Sequence, residues 1–398
     1  VNRHRFFFVC NAFDDRTRTE RGIVTDSPAA SRKIFKLSGA LRKTGVRATV
    51  ISMGRGKQNG SRAYFPGKIA RVDGVPVIYL PFIHFPVLSE LLSLLAFLPV
   101  IWRLRRKPGK KTALFYNRLS AYLPALWLSR LLNFNTALDL EDGATTVQGM
   151  SLQALKARLL QRVFDACCTG GALLACDALA DTTSLRPVQS CYGTADIALP
   201  KEEWMTASST FLFGGTVSAD TGGLMLISAI KKIRATAPPW ASRMCIEVTG
   251  KGDCLELLKE LSHDETAPTV TVHGRTTDMQ YRQILERARV GLALKPNEGA
   301  LANTTFPSKV IEFASNDILV LSTDISDVRK VLGDGAVYLE RDDADLLIEK
   351  FRWIVENGPA ARSISLVGMK AAEAVCSEEN VGRMLNAFLF PQPPGSIA

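Results

Sequence analysis

The chain has 398 residues, 46% hydrophobic and 22% charged, with a formal net charge of +10. That length exceeds what one hydrophobic core organises and predicts about two domains of roughly 150–200 residues each, while the composition excludes disordered and fibrous classes. The charge is unevenly divided: residues 1–200 hold 28 Lys+Arg against 13 Asp+Glu (+15), and residues 201–398 hold 21 against 26 (−5).

The opening "RFFFVCNAF" (5–13) is too short an apolar run for a signal core and reads as a buried strand. A polar loop "DDRTRTERGIVTDSP" follows, then a helix "AASRKIFKLSGALRKTG" closing on Gly45 and a strand "RATVISM", together one βαβ unit. In "VLSELLSLLAFLPVIWRLRRKPGKK" (87–111) the apolar run from Val87 to Trp102 contains Glu90 and Pro99 and falls short of the ~20 residues that span a bilayer. It is either a buried helix or, ending in Trp102 and a run of six basic residues by Lys111, a helix lying on an anionic membrane surface; the basic half favours the second. "TALFYN", a helix near 119–132, "NTALDLEDG", "GALLAC" and "PVQSCYG" complete a first Rossmann-type sheet. The polar, aperiodic "ALPKEEWMTASS" (198–209) reads as a linker.

Strands and helices then alternate again. "TFLFGG", "RMCIEVTG", "TVTVHG", "VGLALK", "ILVLST" and "AVYLE" are separated by helices that include "GGLMLISAIKKIRA", "CLELLKELS", "MQYRQILERA", "SKVIEFAS" and "ISDVRKVLG". The predicted class is therefore α/β, two Rossmann-like doubly wound parallel-sheet domains facing across a cleft: residues 1–200, residues 201–375, and a C-terminal helix and tail, 376–398, packing back on the first domain. In such sheets ligands bind beyond the carboxyl ends of the strands.

Several chemistries have no representative. There is no G-x-S-x-G elbow, H-E-x-x-H or Walker lysine loop, and the four histidines lie far apart, so no metal site is expected. Asp343 and Asp345 form a D-x-D that reads as exposed loop charge rather than a metal site. The eight cysteines include no C-x-x-C pair and are expected to be reduced thiols of a cytosolic protein. No nucleic-acid module is recognisable. What remains is a row of glycines at successive strand ends: Gly214-Gly215, Gly250-Lys251-Gly252 and Gly274-Arg275. Glycine lets a ligand approach the backbone, whose N–H groups bind phosphate oxygens, and the row outlines a nucleotide-sized groove.

From "FLFGGTVSADTGGLMLISAIKKI" through "IEVTGKGDCLELLKEL" and "VTVHGRTTDMQYRQILERARVGLAL" to "FPSKVIEFASNDILVLSTDISDVRKVL", the chain resembles the donor domain of family 4-like glycosyltransferases of the GT-B fold. "SCYGTADIALP" resembles the short segment that closes the N-terminal domain there, with Tyr192 in an Asn position. The resemblance covers residues 190–345; the first half matches only in rhythm. It implies that Glu312 hydrogen-bonds a nucleotide ribose and that Lys309, one turn earlier, faces a diphosphate. Ser308, Asn303, Thr304 and Thr305 are further phosphate donors on this reading, with Gly214, Gly215, Thr216, Gly250, Gly274 and Arg275 lining the donor groove. The plain alternative for Lys309 and Glu312 is an i,i+3 surface pair. Where relatives carry a phosphate-gripping Arg and Lys this chain has Thr216 and Thr221, and Thr304 stands in place of a first glutamate, with Glu298 off register; Lys309 with Arg275 or an N-terminal arginine would supply the missing charge.

On the acceptor side, Arg16, Arg18, Arg21 and Gly22 follow the first strand and are candidates to hold a phosphorylated acceptor, or are a solvated loop. Asn117-Arg118 and Glu141-Asp142 also follow strands; one carboxylate would orient or deprotonate an acceptor hydroxyl, with Asp142 read rather as a cap of the next helix. The function implied is a bacterial, cytoplasmic, metal-independent hexosyltransferase that acts with retention. It would move sugar from a nucleotide-sugar co-substrate, with no cofactor, to a glycan or lipid-linked acceptor in surface polysaccharide synthesis. The alternatives are a non-catalytic scaffold of the same fold and a nucleotide-sugar epimerase.

Overall fold

A computed structural model of the chain describes residues 4–55, 63–141, 152–202, 204, 209–297 and 303–391. The chain forms two compact units, Val1–Thr194 with Glu378–Ala398, and Ala195–Ser377. The sequence reading placed these boundaries at 200/201 and 375/376. They move because the expected linker, in its described part, belongs to the second unit: Ala198 N–H donates to Ser315 O (2.8 Å) and Lys201 N–H to Asp317 Oδ2 (2.6 Å), while Ala195 pairs with Ser377.

The first unit runs β1 (Arg5–Cys10), α1 (Asp15–Glu20), α2 (Pro28–Lys43), β2 (Arg47–Ser52), β3 (Tyr64–Phe65), β4 (Lys68–Val72), β5 (Val75–Tyr79), β6 (Phe82–Ile83), α3 (Pro86–Leu104), β7 (Lys111–Tyr116), α4 (Leu123–Leu131), β8 (Asn135–Leu140), α5 (Leu152–Cys167), β9 (Ala172–Leu174) and β10 (Val188–Ser190). Its sheet has the order β10-β9-β8-β7-β1-β2-β5-β4, parallel except for edge strand β4; β3 and β6 form a separate antiparallel ribbon. β1 and β8 are almost wholly buried, as strands covered by helices on both faces must be. α2 shows why its segment is helical. Ser27 caps it by accepting from Ala30 N, Pro28 supplies a preset φ, and Ile34, Phe35, Leu37 and Leu41 form a buried stripe. Gly45, at φ 88°, turns the chain into β2. The polar loop expected after β1 contains a short helix, α1, because Asp14 accepts from Thr17 N and starts it.

The second unit runs β11 (Ser209–Thr216), α6 (Gly223–Thr236), β12 (Met244–Lys251), α7 (Leu255–Ser262), β13 (Thr269–Gly274), α8 (Asp278–Arg287), β14 (Val290–Ala293), α9 (Lys309–Ser315), β15 (Leu319–Thr323), α10 (Val328–Leu332), β16 (Ala336–Leu339), α11 (Ala344–Glu356) and α12 (Gly358–Cys376). Its six strands are all parallel in the order β13-β12-β11-β14-β15-β16. The order reverses between β11 and β14, and it is beyond the carboxyl ends at such a switch point that a crevice opens. The core beneath, from Phe211 and Ile246 to Phe351, is fully buried, each such side chain contributing about 1.5–3 kcal/mol. The final helix, α13 (Glu378–Leu389), returns to the first unit and lies on α2, where a side chain at Gly382 would come within 2.6 Å of Ala40 O. None of the eight cysteines forms a disulfide among the described residues.

Candidate active site

In the second unit the parallel register sets Gly215 opposite Gly250 at the ends of β11 and β12. Both have positive φ, 105° and 119°, a conformation open to glycine and costly for other residues. A Cβ on Gly250 would lie 1.8 Å from Gly215 O, so the two strand ends close on each other with bare backbone. A Cβ on Gly214 would meet Thr249 Oγ1 at 3.0 Å and Tyr281 OH at 3.6 Å; one on Gly215 would meet Lys309 Cε at 3.4 Å. The glycine floor and the α9 lysine are therefore neighbours.

Lys309 and Glu312 do form an i,i+3 ion pair, with side chains 31% and 33% exposed. A third group from a different element joins them. The Lys309 ammonium donates to Tyr281 OH (2.7 Å) and lies 4.6 Å from the tyrosine ring centroid, and Tyr281 OH in turn donates to Glu312 Oε2 (2.9 Å). Tyr281 is placed by a capping box in which Thr277 accepts from Gln280 N–H and the Gln280 side chain accepts from Thr277 N–H. A merely solvated surface pair has no need of an aromatic partner held so deliberately. Because α9 has only seven residues, its dipole adds little, and the ammonium carries the local positive charge.

The other donor-side candidates divide. Thr305 Oγ1 accepts a hydrogen bond from Lys295, a cation just past the end of β14 and next to β11 in the sheet. Thr304 Oγ1 is buried with no partner among the described residues. Ser308 is exposed and makes no side-chain cap bond, whereas Asn303 Oδ1 accepts from Ser326 N–H (2.8 Å). Thr216 is exposed, and its carbonyl accepts from the Thr221 hydroxyl (2.8 Å), so that hydroxyl is committed locally. Gly274 ends the edge strand β13 and the exposed Arg275 follows it; neither joins Lys309 or Glu312 in any described contact. Glu298 lies outside the described residues. Tyr281 and Lys295 are the residues that sequence reasoning missed; the only linear signal for Lys295 was its place at the end of an apolar strand. Asp343 is the N-cap of α11 and Asp345 pairs with Lys232, which accounts for the D-x-D.

In the first unit, one expectation is corrected outright. Arg21 is only 1% exposed, and its guanidinium is spent on backbone, donating to Gly54 O (2.8 Å), Leu80 O (3.1 Å) and Pro66 O (3.2 Å) between the rings of Phe65 and Tyr79. It braces the sheet, and its one unpartnered donor, Nε, is buried out of reach of an acceptor. Arg18 pairs with Asp26 and Asp15, Arg16 is exposed on α1, and Gly22 follows in a left-handed turn (φ 61°). Asn117, also left-handed, donates its N–H to Asp139 O (2.7 Å) and accepts at Oδ1 from Glu141 N–H (2.8 Å), so it orients the end of β8. Arg118 is buried on Asp165 and Thr182. Asp142 lies outside the described residues.

Glu141 pairs with Lys33 of α2, which also donates to Cys191 O (3.2 Å). Burial alone would depress the Lys33 ammonium, but the Glu141 carboxylate overrides it and raises its pKa. Beside them Asp139 is buried with neither carboxylate oxygen accepting from any donor among the described residues. Burial first, and the Glu141 charge second, push its pKa well above the usual carboxylate range.

Residues 208–357 match the family described as "Glycosyl transferases group 1". No curated protein sequence is similar to the chain. Among solved structures the chain is similar to Alr3699/HepE of Anabaena in complex with UDP, at 13% identity over 97% of this chain and 99% of that one, with a TM-score of 0.68. It is also similar to sucrose-phosphate synthase of Thermosynechococcus elongatus (13% identity, 96% and 98% covered, TM-score 0.65). A third is WaaG, a glycosyltransferase involved in lipopolysaccharide biosynthesis (11% identity, 97% and 100% covered, TM-score 0.59). Two Rossmann-like units and these likenesses over nearly the whole length establish the GT-B fold, with the glycosyl transferases group 1 match lying in the second unit.

Proposed function

We propose that the protein transfers a hexosyl residue from a nucleotide sugar to a glycan or lipid-linked acceptor. The observation that carries this reading is the Lys309–Tyr281–Glu312 triangle set against the Gly215/Gly250 floor at the switch point of the second sheet, inside the segment that matches a glycosyltransferase family. The floor admits a diphosphate close to backbone N–H groups, the Lys309 ammonium takes its charge, and the Glu312 carboxylate accepts from vicinal ribose hydroxyls.

In this reaction the bond from the anomeric carbon to the diphosphate oxygen breaks with its electron pair going to the diphosphate. The acceptor oxygen bonds to that carbon on the same face, and its proton passes to the departing phosphate. Leaving-group charge falls on Lys309, with Lys295 next along the sheet, rather than on a metal ion. Uridine is the first base to test, since HepE has been solved with UDP and with UDP-glucose. We assign the reaction to bacterial surface polysaccharide synthesis on the cytoplasmic side, a reading supported by the likeness to WaaG.

One observation favours a second reading. Thr216 and Thr221 bring no charge to the first strand turn and Thr221 is hydrogen-bonded within it, as suits a non-catalytic scaffold of this fold. Turnover separates the two. Release of nucleoside diphosphate from at least one of a panel of UDP-, GDP- and ADP-sugars, dependent on acceptor, is expected; binding without turnover of any of them would leave the scaffold.

A further inference from the structure

α3 is apolar nearly all round, and a helix of that kind is normally buried on every side. Its inner face is docked: Phe97 and Ile101 are buried, and Phe97 meets Tyr122 edge to face with ring centroids 5.8 Å apart. Its outer face is not. Leu88, Leu91, Leu95 and Trp102 recur at helical spacing and are each between 43% and 54% exposed. α4 packs along α3 and exposes Trp127 and Leu131; α5 packs against α4 and exposes a second stripe, Leu152, Leu155 and Leu159. Three neighbouring helices on one unit thus present apolar side chains to solvent, far beyond the scattered single residues of an ordinary surface.

The charge around this face is predominantly positive. Arg105, stacked 3.7 Å from the Trp102 ring centroid, begins a basic run through Arg106, Lys107 and Lys110, and Arg130, Arg158 and Arg162 are exposed on α4 and α5. The only acidic residues in the three helices are Glu90 and Asp165, and Asp165 is buried against Arg118. An isologous second copy would set this cationic face against itself, like charge on like. A bilayer of anionic phospholipid matches both features: acyl boundary for the leucines and tryptophans, headgroup phosphates for the arginines and lysines. No helix among the described residues is long and apolar enough to cross a membrane.

We infer that the α3–α4–α5 face of the first unit is a peripheral docking surface for anionic phospholipid, on which the helices lie in the plane of the headgroups. This inference does not depend on the transfer reaction. The test is co-sedimentation of the full chain with vesicles of phosphatidylcholine alone or with equal parts of phosphatidylglycerol, at low and high salt, with light scattering in the absence of lipid. Wild type is expected to pellet only with the anionic vesicles and to be released by salt. Each surface cation contributes about fivefold, so the double substitution Arg106→Gln/Lys107→Gln is expected to lower partitioning about thirtyfold. Leu91→Gln/Leu95→Gln, on exposed positions that leave the core untouched, should lower partitioning to the anionic vesicles at low salt. The inference is overturned if wild type stays in the supernatant, if either double variant pellets like wild type, or if light scattering shows a dimer that Leu91→Gln/Leu95→Gln dissolves.

Discussion

Lys309→Met offers the sharpest test of the site because it separates binding from stability. The ammonium sits about a third exposed between Glu312 and Tyr281, and an ion pair so open to water contributes less than about 1 kcal/mol to folding. A charge-assisted hydrogen bond to a bound diphosphate is worth about 1.5–3 kcal/mol, so its loss should weaken nucleoside diphosphate binding roughly 10- to 150-fold. Titration calorimetry with the diphosphate that binds wild type reads the second quantity, and ligand-free thermal unfolding reads the first. Glu312→Gln should behave similarly but should discriminate less between ribo- and deoxyribonucleotides, because the ribose contact is the one it weakens. Unchanged affinity in both variants would refute the reasoning, and so would a large ligand-free destabilisation with wild-type affinity, which is the signature of a structural pair.

Gly250→Ala places a methyl group 1.8 Å from Gly215 O at φ 119° and should cost about 3 kcal/mol or more; Gly274→Ala, at φ 63° with open space around it, should cost only about 1 kcal/mol, a contrast that thermal unfolding can read. Lys201 is held near a pKa of about 7 chiefly by burial, and a neutral amine has two N–H donors for the two carbonyls it meets, Leu285 O and Ala288 O. Its folded pKa lies below the unfolded value, so the unfolded chain binds the extra proton between about pH 7 and 10 and stability rises with pH there, by at most about 1.4 kcal/mol per unit. The wild-type minus Lys201→Met difference in denaturant midpoint should carry that slope. Asp139 has the opposite sign: its raised pKa means the folded state holds the proton more tightly than the unfolded chain, so its contribution falls as pH rises above the ordinary carboxylate pKa of about 4, and Asp139→Asn should remove that fall. A wild-type slope in either window that the substitution leaves intact would refute the assignment.

The alternation of apolar strands with capped amphipathic helices was enough to read two doubly wound domains, because burial on both faces of a parallel sheet forces continuous apolar strands and each crossover must be a helix. The donor-side glycines were legible for a similar reason: a backbone at φ near 105–119° leaves little choice of residue. Arg21 was misread because nothing in a linear pattern distinguishes a loop arginine facing solvent from one buried on three carbonyls. The polar stretch from Ala198 read as a linker because its anchors, Ser315 and Asp317, lie more than a hundred residues away.

What the linear order determined by itself was therefore the periodicity, the turns and the chemical inventory, all of which depend on neighbours in sequence. Which groups meet was decided only by the fold. Tyr281 on α8 joins Lys309 and Glu312 on α9 across β14, and Lys33 finds Glu141 from a helix seven strands earlier in the chain, because parallel sheets bring distant strand ends to one edge and side-chain electrostatics act through space rather than along the chain.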